Sequence, residues 1–307
     1  MRVIGIIPAH NEEASVADVV HGLKRYVDEV IVINDGSTDR TVEFAEKAGA
    51  RVVSHAMKRG LGLAIRHGYQ EALAMGADIV VQIDADGQYT VEDVPKLVKP
   101  IIDGEADMMI ASRVKGGIED MPLGKRLGNR IGTFVTRTVS GAKITDAQSG
   151  FRAIRAELLR DIQPTSRYTY VQEMIICAAK EGWKVAEVPS YFKRRQYGPS
   201  RLIGSLFGYL GRAALITFRA VRDYRPMIFF GIPGLLLLLG GLALGAYLVD
   251  VWFEIGSFAG HTASVMLTAL LIISGGLFIF MGMLADMMQQ KYFQIRALLK
   301  LQNKVCH

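Results

Sequence analysis

The sequence predicts an α/β fold built on a mainly parallel sheet, followed by a two-helix membrane hairpin. Two observations carry this. Short apolar runs alternate with helical patterns from residue 1 to about 112, and two long uncharged stretches lie near the other end. The runs at 3–7, 30–33, 51–54, 79–83 and 108–111 are continuous rather than alternating, as strands covered on both faces are. Between them, 14–25, 38–47, 61–75 and 91–103 read as helices. Such alternation places helices on both sides of a parallel sheet.

The strand ends hold the distinctive residues. The first run leads into Pro8-Ala9-His10-Asn11-Glu12-Glu13, the second into Asn34-Asp35-Gly36-Ser37-Thr38-Asp39, the fourth into Asp84-Ala85-Asp86-Gly87-Gln88. In open α/β sheets ligands bind beyond the carboxyl ends of strands. Asp84 and Asp86 offer two carboxylates one residue apart, a good site for Mg²⁺ or Mn²⁺ on a phosphorylated substrate. A polar turn that ends a strand is the plainer alternative. Asn11, Ser37 and Asp39 also suit helix N-caps or first turns. Gly60-Leu61-Gly62-Leu63-Ala64 resembles part of a dinucleotide fingerprint but does not follow the first strand. Lys58 and Arg59 beside it could touch a diphosphate or simply be solvated. Neither a His/Cys metal constellation nor a Gly-x-Ser-x-Gly nucleophile motif is visible.

Residues 227–249 and 262–285 carry no charge, and each exceeds the roughly 20 residues needed to cross a bilayer. The first contains 13 Leu, Ile, Phe and Val residues, enough to favour insertion by several kcal/mol. Pro233 and the glycines are tolerated in membrane helices. Arg219, Arg222 and Arg225 precede the first span, Lys291, Arg296, Lys300 and Lys304 follow the second, and the segment 250–261 has no Lys or Arg. The positive-inside rule then puts both termini and the N-terminal domain in the cytoplasm. The opening residues are broken too early by Pro8 for a signal peptide. With only Cys177 and Cys306, both on that side, no disulfide is expected. The net charge of +6 suits anionic headgroups. It does not point to nucleic acid, because the basic residues collect beside the spans.

These blocks, with Ala111-Ser112-Arg113-Val114-Lys115-Gly116-Gly117, Thr145-Asp146-Ala147-Gln148-Ser149-Gly150-Phe151-Arg152 and Arg194-Arg195-Gln196-Tyr197-Gly198-Pro199-Ser200-Arg201, resemble family 2 glycosyltransferases of the GT-A fold. Within them they are similar to the polyprenyl-phosphate sugar synthases, the dolichyl-phosphate mannose and glucose synthase group. The resemblance covers roughly residues 1–205. It implies a GT-A type, Rossmann-like nucleotide-sugar-binding domain at 1–200, amphipathic juxtamembrane helices at 201–225, the hairpin at 226–286 and a cytoplasmic tail at 287–307. It further implies that Pro8, His10, Glu12, Ile33, Asp35, Asp84 and Ala85 line the nucleotide-sugar pocket, and that Asp84, Asp86 and Gln88 hold the metal. Asp86, Arg113 and Arg195 would be catalytic, with Arg113 facing the donor phosphates. Arg195, Ser200 and Arg201 would hold the acceptor phosphate together with either Lys125 or Arg126. Two positions depart from the pattern: Asn34-Asp35 where many members have two acids, and Tyr197 where a basic residue is common.

The implied reaction moves one sugar (glucose, mannose or N-acetylglucosamine) from a UDP- or GDP-linked donor to a polyprenyl phosphate such as dolichyl phosphate, with inversion at the anomeric carbon. A hydroxyl acceptor would need a general base. A phosphate monoester, with a second pKa near 6, is already mostly a dianion at neutral pH. It needs arginines for recognition and positioning. The stretch 202–224 interleaves Leu202, Leu206, Leu210, Leu215 and Phe218 with Arg201, Arg212, Arg219 and Arg222, as an interfacial helix does. The tail 287–301 has a pattern compatible with packing in a homo-oligomer. Two other readings are a processive polysaccharide synthase and a non-catalytic scaffold with a transferase fold. The first usually needs more spans and a Gln-x-x-Arg-Trp-type motif, missing here, and intact Asp84, Asp86 and Arg113 argue against the second.

Overall fold

The computed structural model describes residues 1–119, 121–162, 170–195, 218, 221–222 and 225–305. Two compact units divide it, Met1–Ile216 and Thr217–His307.

The first unit contains a seven-stranded sheet of β1 (Val3–Ala9), β2 (Glu29–Asn34), β3 (Arg51–Ser54), β4 (Ile79–Gln82), β5 (Met108–Ser112), β6 (Arg152–Arg155) and β7 (Val185–Pro189). The spatial order is β3-β2-β1-β4-β6-β5-β7. All pairings are parallel except those of β6, which runs antiparallel to both β4 and β5. The expected mainly parallel sheet is therefore present, with β6 and β7 added to the five strands read from the sequence. Among the described residues this unit also contains helices α1 (Val16–Leu23), α2 (Thr41–Lys47), α3 (Leu61–Ala74), α4 (Val94–Ile102), α5 (Arg113–Gly116), α6 (Leu123–Ser140), α7 (Ala156–Asp161) and α8 (Tyr170–Lys180).

Side chains alternate along each strand, so β1 and β2 feed two cores. Ile7, Val30 and Val32 pack beside Val16, Val20 and Leu23 of α1, whereas Ile4, Ile6, Ile31 and Ile33 pack beside Ala64, Ile65 and Tyr69 of α3. Helices thus cover both faces, which is why the strand sequences are continuously apolar. Helix α1 starts at Val16, so Asn11 is not its cap. Asp39 does serve the start of α2, its carboxylate accepting the Thr41 amide at 3.0 Å.

The second unit contains α9 (Pro226–Ile255) and α10 (Thr262–Val305). The segments Pro226–Ile255 and Thr262–Lys291 are each 30 residues long with a mean hydropathy of 2.3, long and apolar enough to cross a membrane. The two helices pack closely at small residues. A Cβ on Gly275 would lie 2.7 Å from the Leu238 amide nitrogen, and one on Gly234 would lie 2.9 Å from the Gly275 carbonyl oxygen. Small residues at such crossings let backbones approach where hydrophobic burial supplies no drive. Leu236, Phe253 and Met266 point outward at 66%, 83% and 71% exposure.

Candidate active site

Because β2, β1 and β4 are adjacent and parallel, their polar carboxyl ends share one sheet edge. Pro8 is the register partner of Ile33, and Ala9 of Asn34. The first two loops are stitched together. Asn11 takes the left-handed conformation, φ 55°, which Asn tolerates better than most residues. Its amide donates to Ser37 Oγ at 2.9 Å and its Oδ1 accepts from the Thr38 amide at 2.7 Å. The Glu12 amide donates to Thr41 Oγ1 at 2.8 Å. Asn11 and Ser37 therefore lock one loop to the other.

Not every expected pocket residue presents its side chain there. Ile33 is fully buried in the core beneath α3. Ala85 is buried too, its carbonyl accepting from Ser15 Oγ at 2.8 Å. His10 is half-buried just past β1. Asp35 is buried and already accepts three bonds: from His55 Nδ1 at 2.9 Å, the Arg59 amide at 2.8 Å and the Gly60 amide at 2.8 Å. Burial alone would raise its pKa, but those bonds outweigh it and hold the carboxyl below the usual range. Asp35 thus anchors the Lys58-Arg59-Gly60 loop against the end of β2. His55 in turn bonds His67 Nδ1 at 3.0 Å through its Nε2.

Asp84 and Asp86 lie just past β4. Burial, then the charge of Asp86, pushes Asp84 up to about 7 against the pull of Arg113 and Arg152. Asp86 is raised as well, by burial, although the Gln88 amide, Arg195 and Lys125 oppose this. Arg195 Nη2 reaches both oxygens of Glu12, at 2.6 and 2.7 Å, and its Nη1 lies 3.9 Å from Asp86 Oδ2. The arginine expected at the acceptor phosphate thus bridges the β1 and β4 loops, on the carboxylate side. Gln88 holds the segment that delivers it: its Nε2 donates to the Lys193 carbonyl at 3.0 Å, and its own carbonyl accepts the Lys193 amide at 2.8 Å. Gly150 provides room for Asp84, since a Cβ there would sit 2.7 Å from Asp84 Oδ2.

Arg113, at the end of β5, is buried and held by Asp146 through its Nε (2.7 Å), Nη2 (2.8 Å) and backbone amide (3.1 Å). Its guanidinium also lies over the Phe192 ring, 5.2 Å from the centroid. Asp146 is placed by Glu187 of β7, whose carboxylate is fully buried. It accepts from the Thr145 and Asp146 amides at 2.7 and 2.8 Å and from Thr145 Oγ1 at 2.8 Å, with Lys115 Nζ 3.2 Å away. A cavity of about 240 Å³ opens here, lined by Arg113, Met121, Arg126, Arg130 and Asp146 among others. Arg126 lines this cavity, whereas the charge of Lys125 acts on Asp86. Burial and the Arg113 charge lower the Lys125 pKa, with Asp86 opposing. Ser200 and Arg201 lie outside the described residues, as does most of 202–224.

Asp146, Glu187 and Arg130 were not singled out from the sequence. Asp146 stood within a quoted motif, but its partner is 33 positions away and no periodicity links the two. Arg152, at the start of β6, is a buried cation satisfied by the carbonyls of Ala147, Ser149 and Val171 at 2.8–3.0 Å. It holds the 147–151 turn against Asp84.

The sheet and its edge define a glycosyltransferase of the GT-A type. The model of glycosyl transferase family 2 matches residues 6–163. UDP-N-acetylglucosamine–dolichyl-phosphate N-acetylglucosaminyltransferase of Methanococcus voltae is 31% identical over 227 residues, 66% of this chain and 90% of that protein. Undecaprenyl-phosphate mannosyltransferase of Micrococcus luteus is 33% identical over 221 residues, 68% of this chain and 90% of that one. Glucosyl-3-phosphoglycerate synthase of Mycobacterium tuberculosis, crystallised with Mn²⁺, UDP and phosphoglyceric acid, matches with a TM-score of 0.58 at 24% identity, covering 73% of this chain and 78% of that one. At that identity the likeness shows the fold. The chain belongs to glycosyl transferase family 2.

Proposed function

We propose that this protein transfers a single sugar from a nucleotide sugar to a polyprenyl phosphate, making a lipid-linked sugar donor for protein or cell-envelope glycosylation. The observation that carries this is the pairing of two unlike sites at one sheet edge: the Asp84–Asp86 carboxylates and the arginine-lined cavity beside Arg113, Arg126 and Arg130. The similarity to the dolichyl- and undecaprenyl-phosphate transferases supports the lipid phosphate acceptor. The two apolar helices suit an acceptor whose tail lies in a bilayer. A hexose or N-acetylhexosamine on a uridine diphosphate is the favoured donor. The charge flanks of the hairpin support a cytoplasmic catalytic domain.

Asp84 and Asp86 are desolvated, mutually repelling oxygen donors, a fit for a hard divalent cation. Among the described residues no group of three or more His, Cys, Asp or Glu could hold an ion; the two aspartates would hold Mg²⁺ or Mn²⁺, which would supply positive charge to a leaving diphosphate. Pro8, His10, Glu12 and the Asp35-anchored loop bind the nucleotide. Arg195, held by Glu12 beside Asp86, screens charge between the two sites. Arg113, expected to face the donor phosphates, lines the cavity with Arg126 and Arg130, and these three, with Ser200 and Arg201, orient the acceptor phosphate, whose dianion attacks without a base. Polyprenyl phosphate should be glycosylated and the free polyprenol should not; equal use of the alcohol would sink the base-free mechanism.

Two further outcomes are expected. Because Asp84 holds a proton up to about pH 7, Mn²⁺ must displace it below that value. Mn²⁺ binding, measured by calorimetry, should tighten by up to about tenfold per pH unit approaching 7 and level off above it. A flat profile from pH 5 to 8 would contradict the assignment of Asp84 to the ion. Gly150→Ala should push Asp84 aside and weaken Mn²⁺ binding about tenfold, the scale of a 1–3 kcal/mol overpacking.

A further inference from the structure

A hydrogen-bonded chain runs from the carboxyl end of β2 towards solvent. Asp35 and His55 are buried, their side chains only 5% and 6% exposed. Asp35 Oδ1 lies 2.9 Å from His55 Nδ1, and His55 Nε2 lies 3.0 Å from His67 Nδ1. The two rings are parallel within 4°. His67 Nε2 faces Glu71 Oε1, one turn further along α3, at 3.6 Å, and both of these side chains are half-buried. Arg51 Nη2 stands 3.5 Å from Glu71 Oε2. The charged groups around the pair thus come from β2 (Asp35), α3 (Glu71) and β3 (Arg51), with Lys58 and Arg59 in the loop that follows His55.

The hydrogens can be counted. The Asp35 carboxylate only accepts, so His55 Nδ1 carries a hydrogen. One more fills the gap between the rings. A bare His67 Nε2 would turn a lone pair towards the Glu71 carboxylate, so this nitrogen matches its surroundings when it carries the third. Three hydrogens on two imidazoles make one positive charge, set between two carboxylates. A fourth would put two N–H groups face to face and break the 3.0 Å contact. Such a pair titrates as a unit in two separated steps.

We propose that His67 is a positioning residue of the nucleotide site. Sharing one charge with His55, it fixes the His55 tautomer and so steadies Asp35, whose carboxylate also accepts the Arg59 and Gly60 amides. A half-buried side chain on α3 thereby governs the nucleotide pocket without touching the nucleotide. The positioning role rests on the reading of the Asp35-anchored loop as nucleotide-binding; the coupling of the two rings does not.

NMR of the full-length protein with isotope-labelled histidine, in detergent and without ligand, reads the coupling from about pH 5 to 9. The His55 and His67 nitrogens should follow the same two steps, more than about one pH unit apart. Two independent single-step curves would overturn the shared charge. Calorimetry with UDP and with GDP, in the presence of Mn²⁺, reads the positioning. His67→Ala should weaken the nucleotide that binds about tenfold, the scale of losing a hydrogen bond to a charged group, with kcat at saturating donor sugar within about twofold of the parent. His67→Asn, whose amide nitrogen can stand where Nδ1 does, should restore the affinity and leave His55 with a single-step titration. Unchanged affinity in His67→Ala, while Asp35→Asn weakens the nucleotide, overturns the positioning and spares the pocket. Shared titration with no effect of Asp35→Asn on UDP or GDP supports the coupled pair and refutes Asp35 as part of the pocket. A loss in His67→Ala that His67→Asn does not restore also overturns the positioning, leaving only a packing role.

Discussion

Asp86→Asn is expected to lower kcat by about a thousandfold or more, the scale of losing a principal electrostatic contact to the leaving group, about 4 kcal/mol. Mn²⁺ binding should weaken in parallel. Stability should move the other way. Burial penalises the charge of Asp86, and that charge is the second cause of the raised Asp84 pKa. An amide keeps the oxygen that accepts the Gln88 amide at 3.1 Å and removes the repulsion. A carboxyl whose folded pKa exceeds its unfolded value makes the fold more stable below the unfolded value, and that advantage is lost as pH rises towards the folded pKa. The metal-free variant should therefore unfold at a higher temperature than the parent at pH 7 while being inactive. A variant that is less stable and inactive would point to a structural role for Asp86.

Asp146→Ala is expected to be the most destabilising single change at the site. It leaves Arg113 buried with three bonds removed, and breaking one partner of a buried pair typically costs about 3–5 kcal/mol. For a unit of this size the melting temperature should fall by about 10 °C. Asp146→Asn keeps one oxygen for the guanidinium and should lose markedly less. In that milder variant transfer should fail through the acceptor, with KM for the lipid phosphate rising more than KM for the donor. An equal rise in both would mean that Arg113 does not face the acceptor cavity.

Much of the sheet edge was legible because β1, β2 and β4 are apolar throughout and end in short polar clusters. Two strands, β6 and β7, are not legible in the sequence, and β6 reads Arg152-Ala153-Ile154-Arg155. A buried arginine at its start conceals the strand, and only the carbonyls folded around it explain why the charge is tolerated. Strand β7 is partly exposed and contains Glu187, so it has the look of a loop. The choice between Lys125 and Arg126 was open in the sequence because it depends on the rotation of α6 about its own axis. Asp35 shows the opposite limit: its position at the edge was legible, but its three bonds come from a loop about twenty residues away.

Passage of one sugar to a lipid phosphate is read by mass spectrometry of the lipid after incubating the full-length protein with polyprenyl phosphate, Mn²⁺ and a panel of UDP- and GDP-sugars. One product is expected, the acceptor plus a single hexose or N-acetylhexosamine, formed from one donor and absent without the divalent ion. A ladder of added sugars, or unmodified lipid with every donor, would contradict it.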